Sequence, residues 1–128
     1  MLFLSLQVSV LLLAGSTVQI KPAPSWILPI TMDSSRNPDQ KDVSNGFFYE
    51  LMNRQVNLLN QTLYVHFTRQ IINESGVQDA SDVSVNFAPQ FQQLIFHTVK
   101  IIRDGKTINQ LKKQSIKIAD EESNASDY

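Results

Sequence analysis

His66 and His97 are the two histidines of this chain, the residue type suited to acid–base and metal chemistry near neutral pH, so such chemistry would start from them. His97 lies among Ile95, Val99 and Ile101, in a run that reads as a strand. In such a place a histidine is usually packed and hydrogen-bonded. A hydrolase centred on His97 would need a carboxylate partner, and Glu50, Glu74, Asp79 and Asp82 are the candidates. Their spacing matches no catalytic pair, and Asp79 and Asp82 suit local hydrogen bonds in turns. His66 shares a polar face with Tyr64 and Thr68. It could hold a metal together with His97 only if their two strands were neighbours, and no third ligand is evident. The chain has no cysteine, which removes thiolate nucleophiles, thiolate metal sites and disulfides. No phosphate-binding loop, dinucleotide fingerprint or nucleophile elbow occurs. No catalytic, cofactor-binding or metal-ligating residue is therefore assigned.

Binding residues are the other option. Trp26, Tyr49 and Tyr64 are the aromatic side chains that could form an interaction surface for a glycan or a peptide, with Phe96 beside them. Lys112, Lys113 and Lys117 form a small basic patch that reads as a solvated face. With 128 residues, a net charge of −1 and a pI near 6.0, the chain lacks the basic footprint of a nucleic-acid binder. Hydrophobic residues make up 42% and charged residues 18%, the balance of one globular domain.

Four segments follow from the elements that must position these residues. Residues 1–16 open with an apolar run, Met1 to Ala14, followed by small residues, which is the pattern of a signal peptide. Cleavage would leave a mature start near Thr17 and no integral membrane span. Residues 17–45 read as a Pro-rich linker, because Pro22, Pro24, Pro29 and Pro38 lack the amide donor that a central strand needs. Within it, Trp26, Ile27 and Leu28 look like an anchor that docks on the domain. Residues 46–119 read as strands. Leu63, Val65, Phe67 and Ile71 alternate with Tyr64, His66, Thr68 and Gln70, as a half-buried antiparallel strand requires. Asn73 to Gly76 terminates that strand, and Val83 to Phe87 makes a short one. Phe91 to Arg103 is the longest run. Leu94, Phe96 and Ile102 fall on one side, with Ile95, Val99 and Ile101 on the other, so it belongs in the centre of a sheet. Asp104-Gly105 between apolar runs predicts a type I′ hairpin. Ile116 and Ile118 suggest a last short strand. Residues 120–128 are acidic, small and polar, and read as a disordered tail. The expected fold class is all-β and mostly antiparallel, a partial β-sandwich with a flexible leader and an acidic tail. So few folded residues would leave one face for a partner to cover.

Several motifs together resemble a known family. They are Asn73-Glu74-Ser75-Gly76-Val77, Asp82 to Phe87, Pro89 to Leu94, His97, and Ile101-Ile102-Arg103-Asp104-Gly105-Lys106. Together with Pro22 to Trp26, they resemble the start of the domain of unknown function that precedes transglutaminase-like domains in exported proteins of Gram-negative bacteria. The resemblance runs from about Lys21 to Glu122 and marks His97, Arg103, Asp104, Gly105 and Lys106 as motif residues. Ala88 departs from it, standing where an aspartate is expected before the proline. The resemblance implies a catalytic cysteine–histidine–aspartate unit in a neighbouring domain. For this chain it implies a non-catalytic accessory module, exported to the periplasm or cell envelope. Its partner would be a protein or the downstream transglutaminase-like domain, with a homodimer as a further arrangement. A free-standing glycan- or peptide-binding module is the alternative.

Overall fold

A computed structural model describes residues 2–12, 18–31, 43, 45–80 and 82–119. The expected cleavage site and acidic tail lie outside these residues. The elements, in order, are β1 (Leu2–Leu12), β2 (Val18–Ile20), β3 (Phe47–Asn57), β4 (Thr62–Ile71), α1 (Glu74–Ala80), β5 (Gln92–Arg103) and β6 (Lys106–Asn109). A 3₁₀ turn covers Lys113–Ser115. The strands form one six-stranded sheet in the order β2-β5-β1-β4-β3. β6 also pairs with β5, so the outer edge of β5 is shared. β2 runs parallel beside Leu94 to Phe96, and β6 runs antiparallel beside Lys100 to Arg103. The all-β class holds, as a single mixed sheet rather than two facing ones.

The centre of the sheet is β1, the segment that reads as a signal peptide. It pairs antiparallel with β4 on one side and β5 on the other. Its sequence explains the placement. From Leu4 to Val10 it reads apolar, polar, apolar, polar without a break. Leu4, Leu6 and Val8 are buried on one face of the sheet, and Ser5 and Ser9 are buried on the other. Leu6 and Val8 join Phe67 and Leu94 in the main core cluster. Burying one such side chain contributes about 2 kcal/mol, so in this fold β1 is structural.

Within the proline-rich segment, Trp26 and Leu28 contact the sheet. After β2 the chain crosses the polar face of the sheet as a strap. The Lys21 carbonyl meets His97 of β5 at 2.8 Å, and Trp26 packs edge-on to Tyr64 of β4 with centroids 6.5 Å apart. At its far end, the Leu28 amide donates to Gln55 Oε1 of β3 at 2.9 Å, and Gln55 Nε2 donates back to the Leu28 carbonyl at 2.8 Å. Prolines suit this strap because it adds no strand to the ladder.

Strand β4 ends before Asn73 as the sequence predicts, and two strand expectations change. Asn73 to Gly76 starts a helix: the Asn73 side chain accepts the Gly76 amide at 3.1 Å, a cap on the first turn of α1. Val83, Val85 and Phe87 pack on the apolar face, but their segment does not join the sheet. Ile116 is extended just after the 3₁₀ turn, and neither it nor Ile118 joins a strand. The faces of β5 also differ from simple alternation. Gln7 opposes Thr98 and Val8 opposes Phe96, so His97 is the extra residue of a bulge. The bulge puts Leu94, Phe96, Val99 and Ile101 on the apolar face together, while Ile95 and Ile102 lie opposite.

The β5–β6 hairpin forms as its sequence requires. Asp104 and Gly105 both have positive φ, 51° and 76°, the signature of type I′. A side chain at Gly105 would meet nothing within 4 Å. Gly105→Ala should therefore cost only the left-handed strain, about 1 kcal/mol, read from a shift in urea midpoint.

Candidate functional site

The polar face brings the two histidines to opposite sides of β1. Ser5, Gln7 and Ser9 project from alternate positions of that strand. Ser5 Oγ lies 3.2 Å from His66 Nε2 on β4, and Ser9 Oγ lies 2.7 Å from His97 Nε2 on β5. Between them, the Tyr64 hydroxyl donates to Gln7 Oε1 at 2.9 Å. The Tyr64 and His97 rings lie tilted together, 6.0 Å between centroids. The strap closes over this row through Lys21 and Trp26.

The hydrogen bonds define which nitrogen of the neutral His97 ring carries the hydrogen. The Lys21 carbonyl can only accept, so His97 Nδ1 carries the hydrogen. In the neutral ring Nε2 is then the acceptor for the Ser9 hydroxyl. This is the local geometry of a serine activated by a histidine whose other nitrogen is held. Ser9, however, is only 1% exposed at the centre of the sheet, where no acyl group can reach it. The arrangement satisfies buried polar atoms, each of which would cost about 1–3 kcal/mol if left unpaired.

Burial raises the pKa of Tyr64 above its usual value, which keeps the hydroxyl available as a donor. His66 is pushed the other way, first by burial and then by the charge of Lys100. Its folded pKa lies below the ordinary 6.5. Below that pH the unfolded chain binds a proton that the folded chain refuses, so stability is complete above 6.5 and falls as pH drops towards the folded value. Urea midpoints at pH about 7.5 and about 5.5 should show this loss, and His66→Gln should reduce it.

The structure separates several residues grouped in the sequence. His66 and His97 are on strands kept apart by β1, so they are not neighbouring metal ligands. Among the described residues no group of three His, Cys, Asp or Glu side chains is placed to hold a metal. Trp26 and Tyr64 lie together on the polar face, whereas Tyr49 lies on the other face against Phe67. The three aromatics therefore do not form one surface. His97 sits under the strap, while Arg103 to Lys106 form the exposed hairpin further along the same strand. Glu50 is the unopposed residue of a bulge in β3, and Glu74 opens α1. The Asp82 carbonyl accepts from Arg69 Nη1 at 3.4 Å.

Two features were not read from the sequence. The polar row on β1 was hidden because its apolar partners dominate the composition of the run, although the alternation was visible. Arg69 is the second. Its guanidinium lies 4.7 Å from the Phe67 ring centroid, 5.3 Å from Phe47 and 5.5 Å from Tyr49, and also bonds to the Ala80 carbonyl. It ties the end of α1 to β4, a contact between distant segments that no local pattern announces.

The apolar face holds a cavity of about 580 Å³ between the sheet, the 82–88 segment and residues 110–119. Leu94, Phe96, Val99, Ile101 and Val85 line it, with Lys112 and Lys117 also contributing. Elsewhere the β3–β4 turn presents Leu58 and Leu59 to solvent, 84% and 96% exposed. No described helix is long and apolar enough to cross a membrane.

Fold and site together define a small all-β domain in which the two histidines of the polar face meet serines of β1 and Tyr64 meets Gln7. The sequence matches DUF3857, described as a domain of unknown function with solved-structure structure, over residues 59–128, and the chain belongs to that family. Members of this family precede transglutaminase-like domains. Searches of curated proteins and of solved structures return no match to the chain.

Proposed function

We propose that this chain is a non-catalytic accessory module that works beside a transglutaminase-like domain in the periplasm or cell envelope. Its family membership carries the reading, since that family stands next to such domains. Two features support it. The chain has no cysteine, so the thiolate of a transglutaminase-like reaction would come from the neighbour. The exposed Leu58 and Leu59 and the apolar cavity are surfaces that a protein partner would cover. The apolar opening run supports export.

The test is co-expression of the chain with the transglutaminase-like domain encoded next to it, followed by size-exclusion chromatography and an acyl-transfer assay. The module should co-elute with that domain, and activity should disappear with the neighbour's cysteine. An esterase or peptidase activity in the chain alone, lost in Ser9→Ala while the sheet stays folded, would overturn the non-catalytic reading.

A further inference from the structure

The first strand carries two roles that exclude each other: a shed export segment is lost, yet a central strand cannot be removed without leaving a gap. We infer that the place between β4 and β5 is an acceptor site for one extended segment, and that His66, Tyr64 and His97 select it. β1 occupies the site in this structure. The inference rests on the export reading above: once the N-terminal run is shed, an extended segment of the partner domain takes its place.

Direction and chemistry both constrain the occupant. β4 and β5 each run antiparallel to β1 and therefore parallel to each other. An occupant antiparallel to both restores two ladders at once, and an empty site would leave two rows of unpaired backbone groups inside the sheet. On the apolar face, the site offers Phe67, Val65, Leu94 and Val99 to aliphatic side chains. On the polar face, His66 and Tyr64 each find their side-chain hydrogen bond on β1, and His97 finds one of its two there. The occupant must therefore alternate aliphatic residues with small hydroxyl or amide residues. An all-aliphatic segment would leave the hydroxyl of Tyr64, Nε2 of His97 and the half-buried His66 ring without these partners.

The experiment uses the full chain with a specific protease site placed between Leu12 and Val18. After cutting, a fluorescent peptide of residues 2–12 is supplied in excess, so the sheet is never without a strand. The labelled peptide should exchange into the complex, and a peptide with Ser5→Ala and Ser9→Ala should compete about tenfold more weakly or worse. Equal competition by the two peptides would overturn the selection. Retained amide protection in β4 and β5 after the peptide is withdrawn would overturn the acceptor site itself. The intact mass of the protein from an envelope fraction tests the export reading separately. A start near Thr17 supports shedding, and a species retaining residues 2–12 overturns it, whatever the peptide exchange shows.

Discussion

Leu6→Ala should lower the unfolding free energy of the full chain by about 2–5 kcal/mol, the range for a large-to-small change in a packed core. Leu6 is 1% exposed and touches the core from the middle of the central strand. Small domains are stable by only about 5–15 kcal/mol, so the urea midpoint should fall by a large fraction of its value. The comparison that decides the role of this segment is Leu28→Ala, on the exposed part of the strap. That change should stay within about 0.5 kcal/mol, as exposed substitutions do. If Leu6→Ala were equally mild, β1 would not be the strand that organises the sheet.

Gly46→Ala is expected to be as damaging, for a different reason. Gly46 and Gly105 have nearly the same φ, 78° and 76°. Gly105 faces open space, whereas a Cβ on Gly46 would collide with the Asn73 side chain and the Gly76 backbone. The Gly46 carbonyl also accepts the Ile72 amide at 2.9 Å, which locks the entry of β3 to the exit of β4. Left-handed strain of about 1–2 kcal/mol adds to an overpacking cost of about 1–3 kcal/mol, so the loss should reach about 2–5 kcal/mol. Because the clash falls on the residue that caps α1, circular dichroism and urea unfolding of Gly46→Ala and Gly105→Ala should separate the two sites. Equal effects would mean that backbone conformation alone matters at both glycines.

These two substitutions also mark what was legible beforehand. The strand at 62–71 and the Asp104-Gly105 hairpin were readable because both signals are local: two-residue alternation in one, a pair of residues tolerant of positive φ in the other. The pairing of residues 2–12 inside the sheet was not legible, because an export segment and a buried strand share an apolar composition. The regular placement of Ser5, Gln7 and Ser9 was its local sign. Helix α1 was missed since seven residues carry too little periodicity, and Asn73 reads equally well as a turn or a cap. The faces of β5 were misassigned beyond His97, where one inserted residue reverses the alternation.

By itself, the sequence determined the all-β class, the absence of cysteine chemistry, the main hairpin and the family. Each depends on composition or on neighbours within a few residues. The tertiary structure alone decided that residues 2–12 lie between β4 and β5, that the proline-rich segment straps the polar face, and that each histidine meets a serine. Those pairings join residues 61 and 88 positions apart. Which distant groups meet is chosen by the whole sheet, which must satisfy its buried polar atoms and its apolar face in one register.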